Sequence, residues 1–131
     1  MVRIASIRGR VIAAAAALAV GVLVVPAAVA RTSPGLLPEI ALADLPPEAR
    51  AVNARIRTGG PFRYDRDGVV FGNYEKILPA NPRGHYHEYT VPTPGVKNRG
   101  ARRIICGGPP KRPDTCWYTS DHYRSFREIR E

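Results

Sequence analysis

The chain has 131 residues, room for one domain, and its 44% hydrophobic and 24% charged composition excludes wholesale disorder. Lys and Arg number 20 against 11 Asp and Glu, a formal net charge of +9 that favours a polyanionic partner, nucleic acid or an anionic surface, and is silent on fold. Only Lys76, Lys97 and Lys111 are lysines, and two cysteines are too few for a disulfide-dense miniprotein or a four-Cys zinc site.

The first thirty residues read as a targeting segment. Arg3, Arg8 and Arg10 precede an unbroken 15-residue apolar run, Val11 to Val25, and Ala28-Val29-Ala30 supplies a small-x-small cleavage site. This is the pattern of a secretory signal peptide cleaved after Ala30, since spanning a bilayer takes about 20 residues. The expectation is a secreted, extracellular protein with no membrane attachment after cleavage. Its 101 residues keep 17 Lys and Arg against 11 Asp and Glu, a net charge of +6.

Residues 31–43 mix Pro, Gly and apolar residues without a period and are expected to be a flexible arm or propeptide, with the folded domain at 44–131. A helix is predicted over about 46–57: Asp44 is a possible N-cap, prolines 46 and 47 suit the first turn, and Gly59-Gly60-Pro61 stops it. Ala49, Val52 and Ile56 form its apolar face. The period then changes to two. Strands are predicted at 68–71, 86–91, 102–105, 116–119 and 123–129, separated by turn-rich PANPRG, PTPGVKNRG and the cysteine-bounded GGPPKRPDT. Tyr86, Glu88 and Thr90 share one face. The fold class is α+β, one N-terminal helix packed on a twisted antiparallel β-sheet. In an oxidising compartment Cys106 and Cys116 are expected to form a disulfide across a hairpin tip.

Four residues combine into a chemistry. Glu88 interrupts a strand that is otherwise aromatic and β-branched; Arg99 and Arg103 leave one face of an extended segment; His122 lies in a turn-like link, where functional residues concentrate. No His, Cys or acid cluster has zinc-ligand spacing, and neither a metal nor a cofactor is called for. One carboxylate, one imidazole and two guanidinium groups are the minimum kit for metal-free cleavage of RNA, in which the 2′-OH attacks the neighbouring phosphate. DNA, without that hydroxyl, would be inert to it.

The same residues carry a resemblance. LPPEA at 45–49, DGVVF at 67–71, YHEYTVPTPG at 86–95, RGARRII at 99–105 and YTSDHY at 118–123 are similar, in order, to the microbial guanyl-specific ribonucleases of the barnase type, above all their secreted actinobacterial members. The resemblance implies the microbial ribonuclease fold, with Glu88 as general base, His122 as general acid and Arg99 and Arg103 on the phosphate. It places guanine recognition after DGVVF, at Phe71, Asn73 and Glu75, the carboxylate of Glu75 accepting the guanine N1 and N2 protons. It sets Tyr123 to stack on or hydrogen-bond the nucleotide. It also implies a monomer acting on RNA, and a barstar-like protein inhibitor as partner. Gly72 and Tyr74 depart from the longer polar residues usual in close relatives, and His85 stands where an aromatic is expected, able to extend a basic rim. The competing reading is a secreted cationic RNA-binding protein on the same fold without turnover.

Overall fold

A computed structural model of the chain describes Gly9, residues 14–24 and residues 36–131. Residues 1–31 and 32–131 form two separate units. In the first, residues 14–24, part of the apolar run, contain no helix or strand; the expected cleavage after Ala30 falls outside the described residues. Among the described residues no helix is long and apolar enough to cross a membrane.

The second unit is α+β. In chain order it contains strand β1 (Glu39–Ala41), a 3-10 turn (Leu42–Asp44), helix α1 (Pro47–Thr58), and strands β2 (Tyr86–Thr90), β3 (Arg103–Gly107), β4 (Thr115–Thr119) and β5 (Arg127–Arg130). The five strands form one sheet in the order β1-β5-β4-β3-β2, antiparallel except for the β1–β5 pair.

Strand alternation divides the side chains between two faces. On one, Ala49, Val52 and Ile56 of α1 pack against Tyr89, Ile104, Tyr118 and Ile129. On the other, Tyr86, Ile105, Trp117, Phe126 and Leu78 form a smaller apolar cluster. Glu88, Thr90, Arg103 and Thr119 share that second face; Thr90 pairs in register with Arg103, and Arg103 with Thr119. Beside the smaller cluster the sheet is therefore polar at one end, and that end carries the site.

Four expectations change. Part of the presumed arm is strand β1: Ile40 is buried in the main core, Glu39 pairs with Arg130 at 2.8 Å, and the Pro38 carbonyl accepts from Glu128 N–H. Three residues with one inward side chain are too short to show a period. Asp44 is not the helix cap, because it closes the 3-10 turn; Pro47 opens α1, and Gly59 ends it at φ 82°. Residues 68–71 form a single bridge, Val70 to His87, rather than a strand. Gly68 at φ 88° and Asn73 at φ 50° turn the chain on either side. The last strand begins at Arg127, so His122 and Tyr123 both belong to the loop before it.

The β3–β4 hairpin is as expected. Cys106 and Cys116 face each other in register with Cα atoms 4.1 Å apart, joined as a disulfide in the helix-side core.

Candidate active site

Glu88 is 6% exposed, at the centre of β2. A buried carboxylate needs partners, and it has two: its Oε2 accepts from the Tyr123 hydroxyl at 3.1 Å, and its Oε1 lies 3.5 Å from Nη2 of Arg99. Asp67 anchors the adjoining turn to the same strand, accepting from Thr90 N–H at 2.7 Å and from Tyr64 N–H at 3.1 Å.

The two arginines arrive by different routes. Arg103 is on β3, 2% exposed, its Nη1 donating to the carbonyls of Gly100 and Arg102 at 3.0 and 2.7 Å and its Nε to the Tyr123 hydroxyl at 3.1 Å. Arg99 precedes the strand, beyond Gly100 at φ 64°, so the two do not share the face of one extended segment. It reaches the site because Nε and Nη2 both donate to Thr90 Oγ1, at 3.0 and 2.9 Å. Arg99 lies against Glu88 itself, and Arg103 is linked to the same carboxylate through the Tyr123 hydroxyl. Among the described residues, Nη1 of Arg99 and Nη2 of Arg103 have no hydrogen-bond partner.

Tyr123 joins the two halves. Its hydroxyl donates to Glu88 and accepts from Arg103, and burial, followed by the Glu88 charge, pushes its pKa up. The phenol therefore stays protonated at neutral pH. His122 is exposed and lines the same cleft of about 420 Å³ as Glu88, Arg99 and Tyr123. Its backbone is left-handed, φ 56°, with the amide donating to Ala101 at 3.0 Å.

Beside the cleft is a recess of about 190 Å³ lined by Phe71, Asn73, Tyr74, Glu75, Tyr123 and Phe126 among others. Phe71 stacks on Tyr123 with ring centroids 5.3 Å apart. The Glu75 carboxylate is exposed and makes no hydrogen bond to another described residue. Asn73 lines the recess while its side chain is turned to its own loop. Its Oδ1 accepts from Leu78 N–H at 3.1 Å and its Nδ2 donates to the Leu78 carbonyl at 3.0 Å, so the side chain closes the loop.

Gly72 and Tyr74 are explained together. A Cβ at Gly72 would come within 2.5 Å of the Tyr74 ring, which lies over it with its hydroxyl accepting from Arg83 at 3.0 Å. A side chain at 72 and this placement of Tyr74 exclude each other.

His85 lies elsewhere, in a cleft with Asn81, Asp114 and Glu128, against Gly107 and edge-on to Tyr86. That acidic setting does not extend a basic rim. Arg66, not singled out in the sequence, lines the same cleft as Glu88 and His122. An arginine inside a turn carries no local signal that distinguishes it from a solvated one. Among the described residues no cluster of His, Cys and acids suits a metal ion.

A family model described as ribonuclease matches residues 27–130. Over 89 residues the chain is 51% identical to guanyl-specific ribonuclease St of Saccharopolyspora erythraea, covering 68% of this chain and 84% of that one. It is 49% identical over 90 residues to guanyl-specific ribonuclease Sa of Kitasatospora aureofaciens, covering 69% and 91%. Among solved structures, ribonuclease Sa2 in complexes with mononucleotides has a TM-score of 0.68 at 41% identity, covering 73% of this chain and 96% of that one. Ribonuclease Sa2 with guanosine-2′-cyclophosphate has a TM-score of 0.66 at 42% identity, covering 72% and 97%.

Proposed function

The chain belongs to the ribonuclease family, and on that footing we propose that it is a guanyl-specific endoribonuclease cleaving single-stranded RNA on the 3′ side of guanosine. The observation that carries the reading is one cleft lined by a buried carboxylate, an exposed imidazole and the Arg99 guanidinium, with Arg103 tied to the same carboxylate through the Tyr123 hydroxyl and each arginine with a nitrogen still to be paired.

Glu88 takes the proton of the 2′-OH as that oxygen attacks phosphorus in line. His122 gives a proton to the departing 5′ oxygen, and Arg99 and Arg103 stabilise the charge that builds on the non-bridging oxygens. The product is a 2′,3′-cyclic phosphate. In the second stage the roles reverse: His122 draws a proton from water, Glu88 returns one to the 2′ oxygen, and a 3′-phosphate remains. No step calls on a metal or cofactor. The guanine base enters the neighbouring recess against Phe71, with Glu75 accepting its N1 and N2 protons and the backbone of the Asn73 turn reading its edge.

Digestion of RNA in EDTA, with mapping of the ends, tests this. Ends 3′ to G are expected; intact RNA sinks the enzyme reading in favour of a binding protein, and random ends sink the guanine preference. Glu88→Gln and His122→Gln should each lose at least about a hundredfold in kcat while still binding RNA. Export belongs to the same proposal, and a secreted chain beginning at Arg31 is its check.

A further inference from the structure

Among the described residues, His122 and Tyr123 are the only consecutive non-glycine pair in left-handed backbone, at φ 56° and 70°. Side chains are held there only where their surroundings over-determine the chain. Asp121 supplies that restraint. Its Oδ1 accepts from the Thr119 hydroxyl and from Ser125 N–H, both at 2.9 Å, and its Oδ2 from the Ser125 hydroxyl. Thr119 Oγ1, buried at the end of β4, in turn accepts from Tyr123 N–H at 3.2 Å. Asp121 does not line the cleft. Hydrogen bonds to an ionised carboxylate are the stronger kind, and the Ser125 hydroxyl is the first reason that the Asp121 pKa is held down at about 2.

We propose that Asp121 is a positioning residue for the reaction, bracing residues 119–125 so that His122 and the Tyr123 hydroxyl face Glu88 at one fixed spacing. This rests on the reading of Glu88 and His122 as base and acid. Asp121 acts through two neighbours, one the acid and the other the partner of the base. Freeing the loop therefore disturbs both at once, and a displacement of about 1 Å in such a site costs on the order of a hundredfold in rate.

The test uses the whole chain with Asp121→Ala, Asp121→Asn and Ser125→Ala. It reads kcat and KM on a guanylyl dinucleotide, affinity for 3′-GMP, and amide hydrogen exchange across residues 119–125. Asp121→Ala is expected to lower kcat about ten- to a hundredfold, with KM and 3′-GMP affinity changing far less and exchange accelerating at the His122 and Tyr123 amides. Asp121→Asn keeps an oxygen for Thr119 and Ser125 and is expected to recover most of the rate. Ser125→Ala, which removes one bond to the carboxylate, is expected to fall between.

Wild-type kcat in Asp121→Ala overturns the proposal. Unchanged exchange at the two amides overturns it as well, and so does a loss confined to KM and 3′-GMP affinity. Should Asp121→Ala not fold, Ser125→Ala at wild-type kcat overturns it in the same way. An unsubstituted chain inert toward the dinucleotide overturns the acid–base reading along with the positioning. Unchanged kinetics against an active wild type overturn the positioning alone.

Discussion

The Tyr123 hydroxyl stands between a buried carboxylate and a buried guanidinium, so each of those charges is paired through it. Tyr123→Phe removes a donor to Glu88 and an acceptor for Arg103 without changing shape. Bonds to charged groups are worth about 1.5–3 kcal/mol, so thermal unfolding should show a loss of that order, and kcat should fall by more than KM rises. A wild-type unfolding temperature in the variant would show that the bridge carries no weight. Arg103 poses the sharper question. Three carbonyls lie within reach of its Nη1 and the phenol accepts from its Nε, a fork that an ammonium cannot reproduce. Arg103→Lys is therefore expected to lose nearly as much kcat as Arg103→Ala, which parallel kinetics on the two variants would check. Glu88, Arg103 and His122 could be proposed as the reacting groups from the sequence alone. The bridging by Tyr123 could not be, because the residues it joins lie 35 and 20 positions away.

At the scale of elements, the proposed site joins two strand residues, Glu88 of β2 and Arg103 of β3, to loops pinned to the sheet. The Phe71–Leu78 loop is closed by the Asn73 side chain, and Asn73→Ala should loosen it. The expected outcome on a guanylyl dinucleotide is a raised KM with kcat little changed; the reverse pattern would move Asn73 from the recess to the reacting centre. The loop at 119–125 has a pH dependence with a definite sign. Asp121 titrates at about 2 in the folded chain against an ordinary 3.8, the Ser125 hydroxyl being the main cause. Its contribution to stability is present above about pH 3.8 and is lost as pH falls through about 2. Acid unfolding of Asp121→Asn should accordingly be less steep over that window than that of the wild type. The helix and the β2, β3 and β4 strands were readable from period and turn chemistry, to within two residues at each end. β1 was not, since one buried side chain in three makes no pattern.

For the whole molecule, the disulfide and the cleft around Glu88 lie on opposite faces of the sheet. Replacing both Cys106 and Cys116 by Ala should lower stability by roughly 2–3 kcal/mol, the loop-closure value for so short a span, and leave the kcat of the folded enzyme nearly unchanged. Denaturant unfolding beside dinucleotide kinetics separates the two effects. A large kcat loss would mean that the hairpin holds the site as well as the fold. Net charge acts at this scale too. RNA binding should weaken as salt rises, and Glu88→Gln, with one acid fewer in the cleft, should bind RNA no more weakly than the wild type at every ionic strength.

Fold class, cationic character and the cysteine pairing were readable along the chain, and so were the four residues from which the reaction is proposed. Composition, period and local turn chemistry are properties of neighbours along the chain. The relations between distant segments come from the folded chain. Arg99 reaches the cleft through Thr90 rather than along a shared strand. The Asn73 side chain is spent on its own loop, and the Tyr74 ring occupies the space that Gly72 leaves open. Asp121 accepts from Thr119 and Ser125 across the His122 loop, outside the cleft. Each of these depends on where a side chain ends once the sheet is closed. Spacing along the chain restricts that to a face and leaves the partner undetermined.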